Sequence, residues 1–264
     1  GTNYRPAAAA STVEIVEVCR PLRGSGGIFA THMRDEYDGV LASLDETFRI
    51  GRELNVPVVI SHHKVTGAHN WGRSGETLAR IGAAMQCQCV ALDCYPYTAG
   101  STMLHNDPAR LQGRVLIAHS EPHPEMAGRD LDHVVREWGC DKMEAVRRLQ
   151  PASAIYFMMD EADVQRILAF ERTMIGSDGI PLGERPHPRL WGTFPRVLGH
   201  YSRQLNLFPL ETAVWKMTGL TAENFRLAGR GRVAVGAYAD LVVFDAAAVI
   251  DTATYEDPQR AATG

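Results

Sequence analysis

Two histidines and one aspartate stand at the ends of apolar stretches, where their side chains could act together in chemistry. His62 follows the β-branched run 56–60, and His32 and Asp178 each close a similar apolar stretch. Such runs predict buried parallel strands, and the carboxyl ends of these strands are where α/β proteins place their chemistry. Two imidazoles and one carboxylate are natural ligands for zinc. We therefore expect His32, His62 and Asp178 to form a metal site.

The chemistry expected of such a site is hydrolysis. Zinc lowers the pKa of a bound water to about 7, which makes hydroxide available as a nucleophile at neutral pH. Asp178 could take the proton of that water and later pass it to a leaving amine, acting as general base and acid. His119 also ends a short apolar run and is the histidine most easily mistaken for a further ligand.

Polar residues near the predicted strand ends could hold a substrate. Lys64 follows the second histidine by two positions, so strand alternation places both side chains on one side, and its ammonium could pair with a carboxylate. Tyr95 and Ser101 surround the end of a third apolar run and could hydrogen-bond a polar substrate group. Arg189 and Arg196 lie close in sequence, and one of them could bind an anion. Ordinary solvated or packing roles remain the alternative for each residue.

The spacing of these residues predicts an alternation of strands and helices. His32 and His62 lie 30 positions apart, which is about the length of one strand-plus-helix unit. Apolar residues at helical spacing in 38–54 and 74–86 separate the first three predicted strands. With the strand that ends at Asp178, four strands have the character of a parallel sheet, whereas a closed barrel needs eight.

Two parts of the chain depart from this alternation. Between Pro96 and Met158 we predict a loop at 98–102, a short strand and two helices, which together form an excursion from the sheet. Near the end of the sequence, the run Ala239–Asp245 predicts a further strand in a different neighbourhood.

The composition excludes several classes of protein. The 264 residues are 45% hydrophobic and 22% charged, as in ordinary globular proteins. The formal net charge of −4 offers no basic surface for nucleic acid or an anionic membrane. No apolar run approaches the ~20 residues of a membrane span, and no signal-peptide pattern is visible. An odd number of cysteines, five, predicts reduced thiols in a cytoplasmic protein.

Several motifs occur in a fixed order along nearly the whole chain. They are Thr31-His32-Met33-Arg34, Ser61-His62-His63-Lys64, Asp93-Cys94-Tyr95-Pro96-Tyr97 with Gly100-Ser101-Thr102, 154–161, Ile175-Gly176-Ser177-Asp178-Gly179, 186–199 and 239–245. This set resembles the N-acyl-D-amino-acid deacylases, the D-aminoacylase branch of the amidohydrolase superfamily. The resemblance implies a zinc-bearing TIM-type (β/α)8 barrel with a small β-sandwich built from both chain ends.

The resemblance also implies how this chain is organised. Residues 1–232 would be the C-terminal part of the barrel, strands five to eight, with 96–157 as an insertion after the seventh strand. Residues 233–264 would belong to the β-sandwich. Members of the family carry a His-x-His at the first barrel strand and a cysteine ligand at the second, and neither has a counterpart here. We therefore expect a C-terminal half, or fragment, that requires the N-terminal half of the enzyme.

The family pattern gives roles to individual residues. His32 and His62 match the ligands at the fifth and sixth barrel strands, and Asp178 matches the ligand and general base at the eighth. Positions around the carboxylate end of the substrate match a further set of residues: Lys64, Tyr95, Ser101 and Tyr4, with Arg189 nearby.

The function predicted from the sequence is zinc-dependent hydrolysis of the amide of N-acyl-D-amino acids to a carboxylate and a D-amino acid. One alternative is another amidohydrolase activity on cyclic amides, of the hydantoinase or dihydroorotase kind. Lys64 and the Tyr95–Ser101 stretch argue against it, because they suit an open-chain carboxylate. The other alternative is a catalytically inactive fragment, because the His-x-His is absent.

Overall fold

The structure is a computed structural model that describes residues 1–181 and 183–264. The strands are β1 (Phe29–Thr31), β2 (Val58–Ile60), β3 (Val90–Cys94), β4 (Ala99–Met103), β5 (Val115–Ser120), β6 (Ala152–Phe157) and β7 (Thr173–Ile175). The helices are α1 (Thr12–Cys19), α2 (Val40–Leu54), α3 (Ser74–Met85), α4 (Leu131–Trp138), α5 (Lys142–Leu149), α6 (Glu161–Ala169), α7 (Arg189–Arg196), α8 (Leu210–Met217) and α9 (Gly219–Asn224), and a π-helical segment (Val197–Gln204) follows α7.

The chain divides into two compact units. The first unit contains residues 1–95, 160–176 and 201–243, and the second contains 96–159, 177–200 and 244–264.

The first unit is built on a four-stranded parallel sheet in the order β1-β2-β3-β7. Thr31 pairs with Ile60 at the carboxyl ends of β1 and β2, and Ile60 pairs in turn with Leu92 of β3. All three residues of β2 are buried, which explains why this strand reads as an unbroken β-branched run. The parallel sheet of four strands expected from the sequence is confirmed, and it fits part of a (β/α)8 barrel.

Helices of the first unit pack closely on this sheet. Helix α2 begins at Val40 and ends before Asn55, whose left-handed φ of 53° closes the helix. A Cβ atom at Gly51 would lie 2.4 Å from Val58 Cγ1, so glycine lets α2 approach β2. Leu220 of α9 packs with Val59 and other sheet residues in one apolar cluster.

The second unit contains a three-stranded antiparallel sheet in the order β4-β6-β5. Its apolar core joins this sheet to α4 and α5 through residues such as Ile117, Val134 and Leu149. The predicted excursion thus forms a sheet of its own, distinct from the parallel sheet of the first unit. Its assignment as an insertion after the seventh barrel strand stays a prediction.

Two sequence predictions of secondary structure are wrong. The expected loop at 98–102 is strand β4, because its small polar residues pair with β6, a strand that the sequence did not indicate.

The second error concerns the expected strand Ala239–Asp245, where the structure contains no strand. Val242 and Val243 are 85% and 97% exposed, and no strand among residues 1–181 and 183–264 pairs with this run. A β-strand needs a partner for its backbone groups, so the apolar pattern alone was not sufficient. The assignment of 233–264 to a β-sandwich stays a prediction.

No helix within the described ranges combines the length and apolar character needed to cross a membrane.

A buried lysine fastens the start of β7 in the first unit. Lys216 of α8 has no exposed surface, and its Nζ donates hydrogen bonds to the carbonyl oxygens of Phe170 (2.6 Å), Glu171 (3.1 Å) and Thr173 (3.2 Å). Burial lowers the pKa of this ammonium to about 8. The three acceptors compensate for the desolvation of the charge, since burying an ammonium without partners would be costly.

We expect Lys216→Met to lower the free energy of unfolding by about 1–3 kcal/mol, because three carbonyls lose their donor and that of Thr173 is buried. The measurement is urea-induced unfolding followed by circular dichroism. Lys142→Met is the matched control, since Lys142 forms a surface ion pair with Asp132 and its loss should cost less than about 1 kcal/mol. Equal losses in the two variants would contradict a structural role for Lys216.

Candidate metal centre

His32 and Glu36 lie in the loop that follows β1. The carbonyl oxygen of His32 accepts hydrogen bonds from the backbone N–H (2.8 Å) and hydroxyl (3.1 Å) of Thr2, and from the hydroxyl of Thr31 (2.8 Å). These bonds fix the backbone from which the imidazole projects. Glu36 is buried four residues later, before α2 begins.

His62 follows β2 in a conformation that other residues must hold. Its φ is 41°, in the left-handed region that is uncommon for residues with a side chain. Asp93 of β3 supports this turn, because its Oδ1 accepts from the His62 N–H at 2.8 Å and its carbonyl accepts from the His63 N–H at 2.7 Å. Gly176, after β7, leaves space for Asp93, since a Cβ there would lie 2.8 Å from Asp93 Oδ1.

The side chains of these two loops converge on the carboxylate of Glu36. Its Oε2 lies 3.3 Å from His32 Nε2, and its Oε1 lies 3.2 Å from His62 Nδ1. Lys64 Nζ donates to the same Oε1 at 2.7 Å and lies 2.6 Å from His62 Nδ1. The centroids of the two imidazole rings are 4.4 Å apart. The cluster therefore holds two imidazoles, one carboxylate and one ammonium in van der Waals contact.

The donor set of this cluster suits a divalent metal ion. One ligand atom from each of His32, Glu36 and His62 can be chosen so that all lie within 4.8 Å of one another. Imidazole nitrogen and carboxylate oxygen are the ligand types that zinc accepts in catalytic sites, where the protein supplies only part of the coordination shell. His32 and His62 thus come together as the sequence predicted.

Charge in the cluster is balanced in a way that keeps these donors available. Burial raises the pKa of Glu36, but the Lys64 ammonium, the His62 ring and the hydrogen bonds from the two rings outweigh it and hold that pKa well below its usual value. Burial also lowers the pKa of His32, although its hydrogen bond to Glu36 acts in the other direction. An ionised carboxylate and a neutral imidazole are the forms that bind metal.

Two tyrosines surround this cluster in the first unit. The Tyr4 hydroxyl lies 3.2 Å from His32 Nδ1, and it is half exposed. The ring of Tyr95 lies with its centroid 5.5 Å from Lys64 Nζ, close enough for a cation–π interaction. Lys64 reaches His62 as expected, although the cause is the left-handed turn after β2 rather than continued strand alternation.

The remaining predicted site residues form a group in the second unit. Arg189 is fully buried, and its guanidinium donates to Asp178 Oδ2 at 2.8 Å and to the carbonyl oxygen of Ser101 at 3.3 Å. Asp178 has a left-handed φ of 47°, so its backbone is also held in an uncommon conformation. The role of Asp178 as a metal ligand and general base stays a prediction.

Glu36 is the residue that the sequence reading missed. Asp35 and Asp38 stand beside it in the sequence, where acidic residues are expected at the N-terminus of the helix that follows. Asp35 does accept from the N–H groups of Tyr37 and Gly39, just before α2. A signal existed for Glu36, since it is a carboxylate in the loop directly after a buried parallel strand, where such sites are built. His119, the histidine most easily mistaken for a ligand, lies elsewhere, with its Nδ1 2.8 Å from Glu184 Oε2 at the surface.

His63 points away from the cluster and toward α3. Its ring is fully buried, with Nε2 2.8 Å from the hydroxyl of Thr77. Burial lowers the pKa of His63 from 6.5 to about 4. The folded state therefore binds fewer protons than the unfolded state between these pH values, and stability should increase with pH across that window.

We expect the free energy of unfolding to fall by about 3 kcal/mol through His63 as the pH decreases from 6.5 to 4. Urea unfolding at a series of pH values measures this slope. The slope should be flatter in His63→Gln, whereas a matched change at the exposed His133 should leave it unaltered. An unchanged slope in His63→Gln would contradict a neutral buried imidazole.

Comparison with known proteins agrees with this geometry. The sequence profile of the amidohydrolase family matches residues 23–264. Over its whole length the chain is 67% identical to a D-aminoacylase of Alcaligenes xylosoxydans xylosoxydans, of which it covers 54%. The chain spans about half the length of the curated relatives it matches.

Solved structures of relatives share the fold. A D-aminoacylase studied for its binuclear metal centre matches with a TM-score of 0.97 and 67% identity, covering 100% of this chain and 56% of that one. An N-acyl-D-glutamate deacylase from Bordetella bronchiseptica, complexed with zinc and a phosphonate inhibitor, matches with a TM-score of 0.96 and 46% identity over the same shares. With its parallel sheet, its paired histidines and these matches, the chain belongs to the amidohydrolase family.

Proposed function

We propose that this chain carries part of the active site of a zinc-dependent N-acyl-D-amino-acid deacylase. The reaction would be hydrolysis of the amide to a carboxylate and a free D-amino acid. The observation that supports it best is the convergence of His32, His62 and Glu36, three metal-ligating types, at the carboxyl ends of β1 and β2. Relatives of this sequence are a D-aminoacylase and the N-acyl-D-aspartate and N-acyl-D-glutamate deacylases.

His32 and His62 would hold the metal, with Asp178 as a further ligand. When bound, zinc supplies the Lewis acidity that activates water and polarises the acyl carbonyl. Asp178 would accept the proton of the attacking water at its carboxylate and deliver it to the departing amine nitrogen. The hydrogen bond from Arg189 orients this carboxylate, so that one oxygen is fixed while the other stays available.

Lys64 would recognise the free carboxylate of the substrate, with Tyr95, Ser101 and Tyr4 as further contacts. The ammonium is already paired with Glu36 (2.7 Å), so a substrate carboxylate would share it rather than capture it. Because the Lys64–Glu36 pair is nearly neutral before substrate binds, it would attract the substrate carboxylate only weakly over a distance. The pair would instead select a substrate whose carboxylate is correctly oriented for a hydrogen bond. The side chain of the D-amino acid, apolar or acidic, would be read elsewhere in the pocket.

We expect the complete gene product that contains this sequence to retain zinc after dialysis and to lose most of it in His62→Ala, since an imidazole ligand is removed. Elemental analysis of zinc per chain is the measurement. His63→Gln is the matched control, because the adjacent ring faces Thr77 and the metal content should persist. Equal zinc in all three proteins would contradict ligation by His62.

We expect the same gene product to release amine from N-acetyl-D-methionine, but not from its L-enantiomer or from a hydantoin. Asp178→Asn should lower kcat by about 10²–10⁴, because the proton acceptor is lost. A ninhydrin-type amine assay, with the hydantoin followed by ring opening, measures all three substrates. Turnover of the hydantoin alone would contradict the proposal that the substrate is a linear amide. An unchanged kcat in Asp178→Asn would contradict the proposed role of Asp178 in proton transfer.

A further inference from the structure

His187 lies just before helix α7 and faces strand β4, and both elements belong to the second unit. Its side chain is buried, and its ring makes T-shaped contacts with the rings of Tyr97 and Tyr255, whose centroids are 5.1 and 5.2 Å away. A buried polar ring needs hydrogen-bond partners, and His187 has one for each of its nitrogens.

These two hydrogen bonds determine which ring nitrogen of His187 carries the proton. Nδ1 accepts from the backbone N–H of Arg189 at 3.0 Å, and that N–H can only donate. Nε2 lies 2.9 Å from the carbonyl oxygen of Ala99 in β4, which can only accept. The ring is therefore neutral, with its proton on Nε2. Burial and the nearby charge of Arg189 agree with this state, because they hold the pKa of His187 well below its usual value.

The bond to Arg189 also satisfies the first N–H group of helix α7. The first N–H groups of a helix have no acceptor within the helix, and Pro188, which precedes Arg189, has no side chain that could cap them. His187 supplies the missing acceptor. The contact thereby fixes the backbone from which the Arg189 side chain projects.

The Arg189 guanidinium reaches both β4 and Asp178 from this fixed backbone. Its Nη2 donates to the carbonyl oxygen of Ser101 at 3.3 Å and forms an ion pair with Asp178 Oδ2 at 2.8 Å. Strand β4 is an edge strand of its sheet, and such strands carry backbone groups that no other strand uses. Two carbonyl groups of this edge, those of Ala99 and Ser101, thus hold the imidazole and the guanidinium.

We propose that His187 is a positioning residue for Asp178, that it acts through Arg189, and that the edge of β4 supports both side chains. The imidazole fixes the start of α7, and the guanidinium that projects from it sets the orientation of the Asp178 carboxylate. The small sheet of the second unit thus contributes to the geometry of proton transfer. This inference rests on the proposed function insofar as Asp178 must be the proton acceptor.

The first test is steady-state kinetics of the complete gene product with N-acetyl-D-methionine. His187→Leu removes both hydrogen bonds at similar volume and should lower kcat by about 10–100-fold, because a misplacement of about 1 Å can cost ~10²-fold in rate. KM should stay near its wild-type value, since the lost interaction serves proton transfer and not substrate binding. His187→Asn should recover most of the lost kcat, because its Oδ1 can replace Nδ1 as the acceptor for Arg189.

Ser120→Ala is the matched control for the loss of a buried hydrogen bond in the same unit. Ser120 is fully buried, and its Oγ donates to the carbonyl oxygen of Leu149 at 2.6 Å. This variant should lower the free energy of unfolding but leave kcat unchanged. Urea-induced unfolding followed by circular dichroism establishes that each variant is folded before the values of kcat are compared.

The second test asks whether His187 acts through Arg189. We expect the kcat of Arg189→Met to fall no further when His187→Leu is added, because the group that transmits the effect is already absent. Losses that multiply in the double variant would mean that the two residues act independently, and they would overturn the positioning role.

A third measurement depends neither on activity nor on a bound metal. The ring nitrogens of ¹⁵N-histidine protein are observed by NMR, and the His187 signals are assigned by their absence from the spectrum of His187→Asn. We expect a proton on Nε2 and none on Nδ1 at neutral pH. A proton on Nδ1 would overturn the inference, because the ring could not then accept from Arg189.

The outcomes separate this inference from the proposed function. An unchanged kcat in His187→Leu would overturn the positioning role. A raised KM with unchanged kcat would do the same, because Arg189 would then serve the substrate and not Asp178. In each case, deacylation by the wild-type protein would leave the proposed function intact. If the wild-type protein releases no amine from N-acetyl-D-methionine, the proposed function fails first and the role of His187 fails with it.

Discussion

The pairing of β1 with β2 is the constraint on which the candidate centre depends. Thr31 and Ile60 are partners at the carboxyl ends of these strands, and the N–H of Ser61 continues the ladder to the carbonyl of Thr31 at 3.0 Å. Because β1 and β2 run parallel and are paired in register, both strands end at the same edge of the sheet and at the same level. The histidines that follow can then approach to 4.4 Å between ring centroids without a long excursion of either loop.

Converging charges at this edge have an energetic cost that the cluster itself offsets. Glu36 and Lys64 are both buried, and taking two charges out of water costs several kcal/mol per ion unless the geometry is good. Here the Glu36 carboxylate contacts the Lys64 ammonium and the imidazoles of the two histidines. Loss of Glu36 or of Lys64 would leave a buried, uncompensated charge, which costs about 3–5 kcal/mol in general. The cluster is thus most sensitive to the removal of either charged partner.

Much of this arrangement could be predicted from the sequence, and the failures have physical reasons. The strands before His32 and His62 were recognisable because both read as apolar runs, and β2 is buried along its whole length. Strands β4 and β6 were missed because their stability comes from pairing with each other across the sequence, which local pattern does not reveal. Glu36 was missed because a single carboxylate in a polar loop has no period, and only the fold brings it to the histidines.

Gly176 shows how the demands of the centre extend to a residue that carries no reactive group. Its missing side chain makes room for Asp93, and Asp93 holds the turn that presents His62. A side chain at position 176 would displace the Asp93 carboxylate, although a survey of reactive groups would pass over this glycine. A redesign of the turn at His62 would therefore have to take account of β7, the far strand of the sheet, as well as of the loops that carry the histidines.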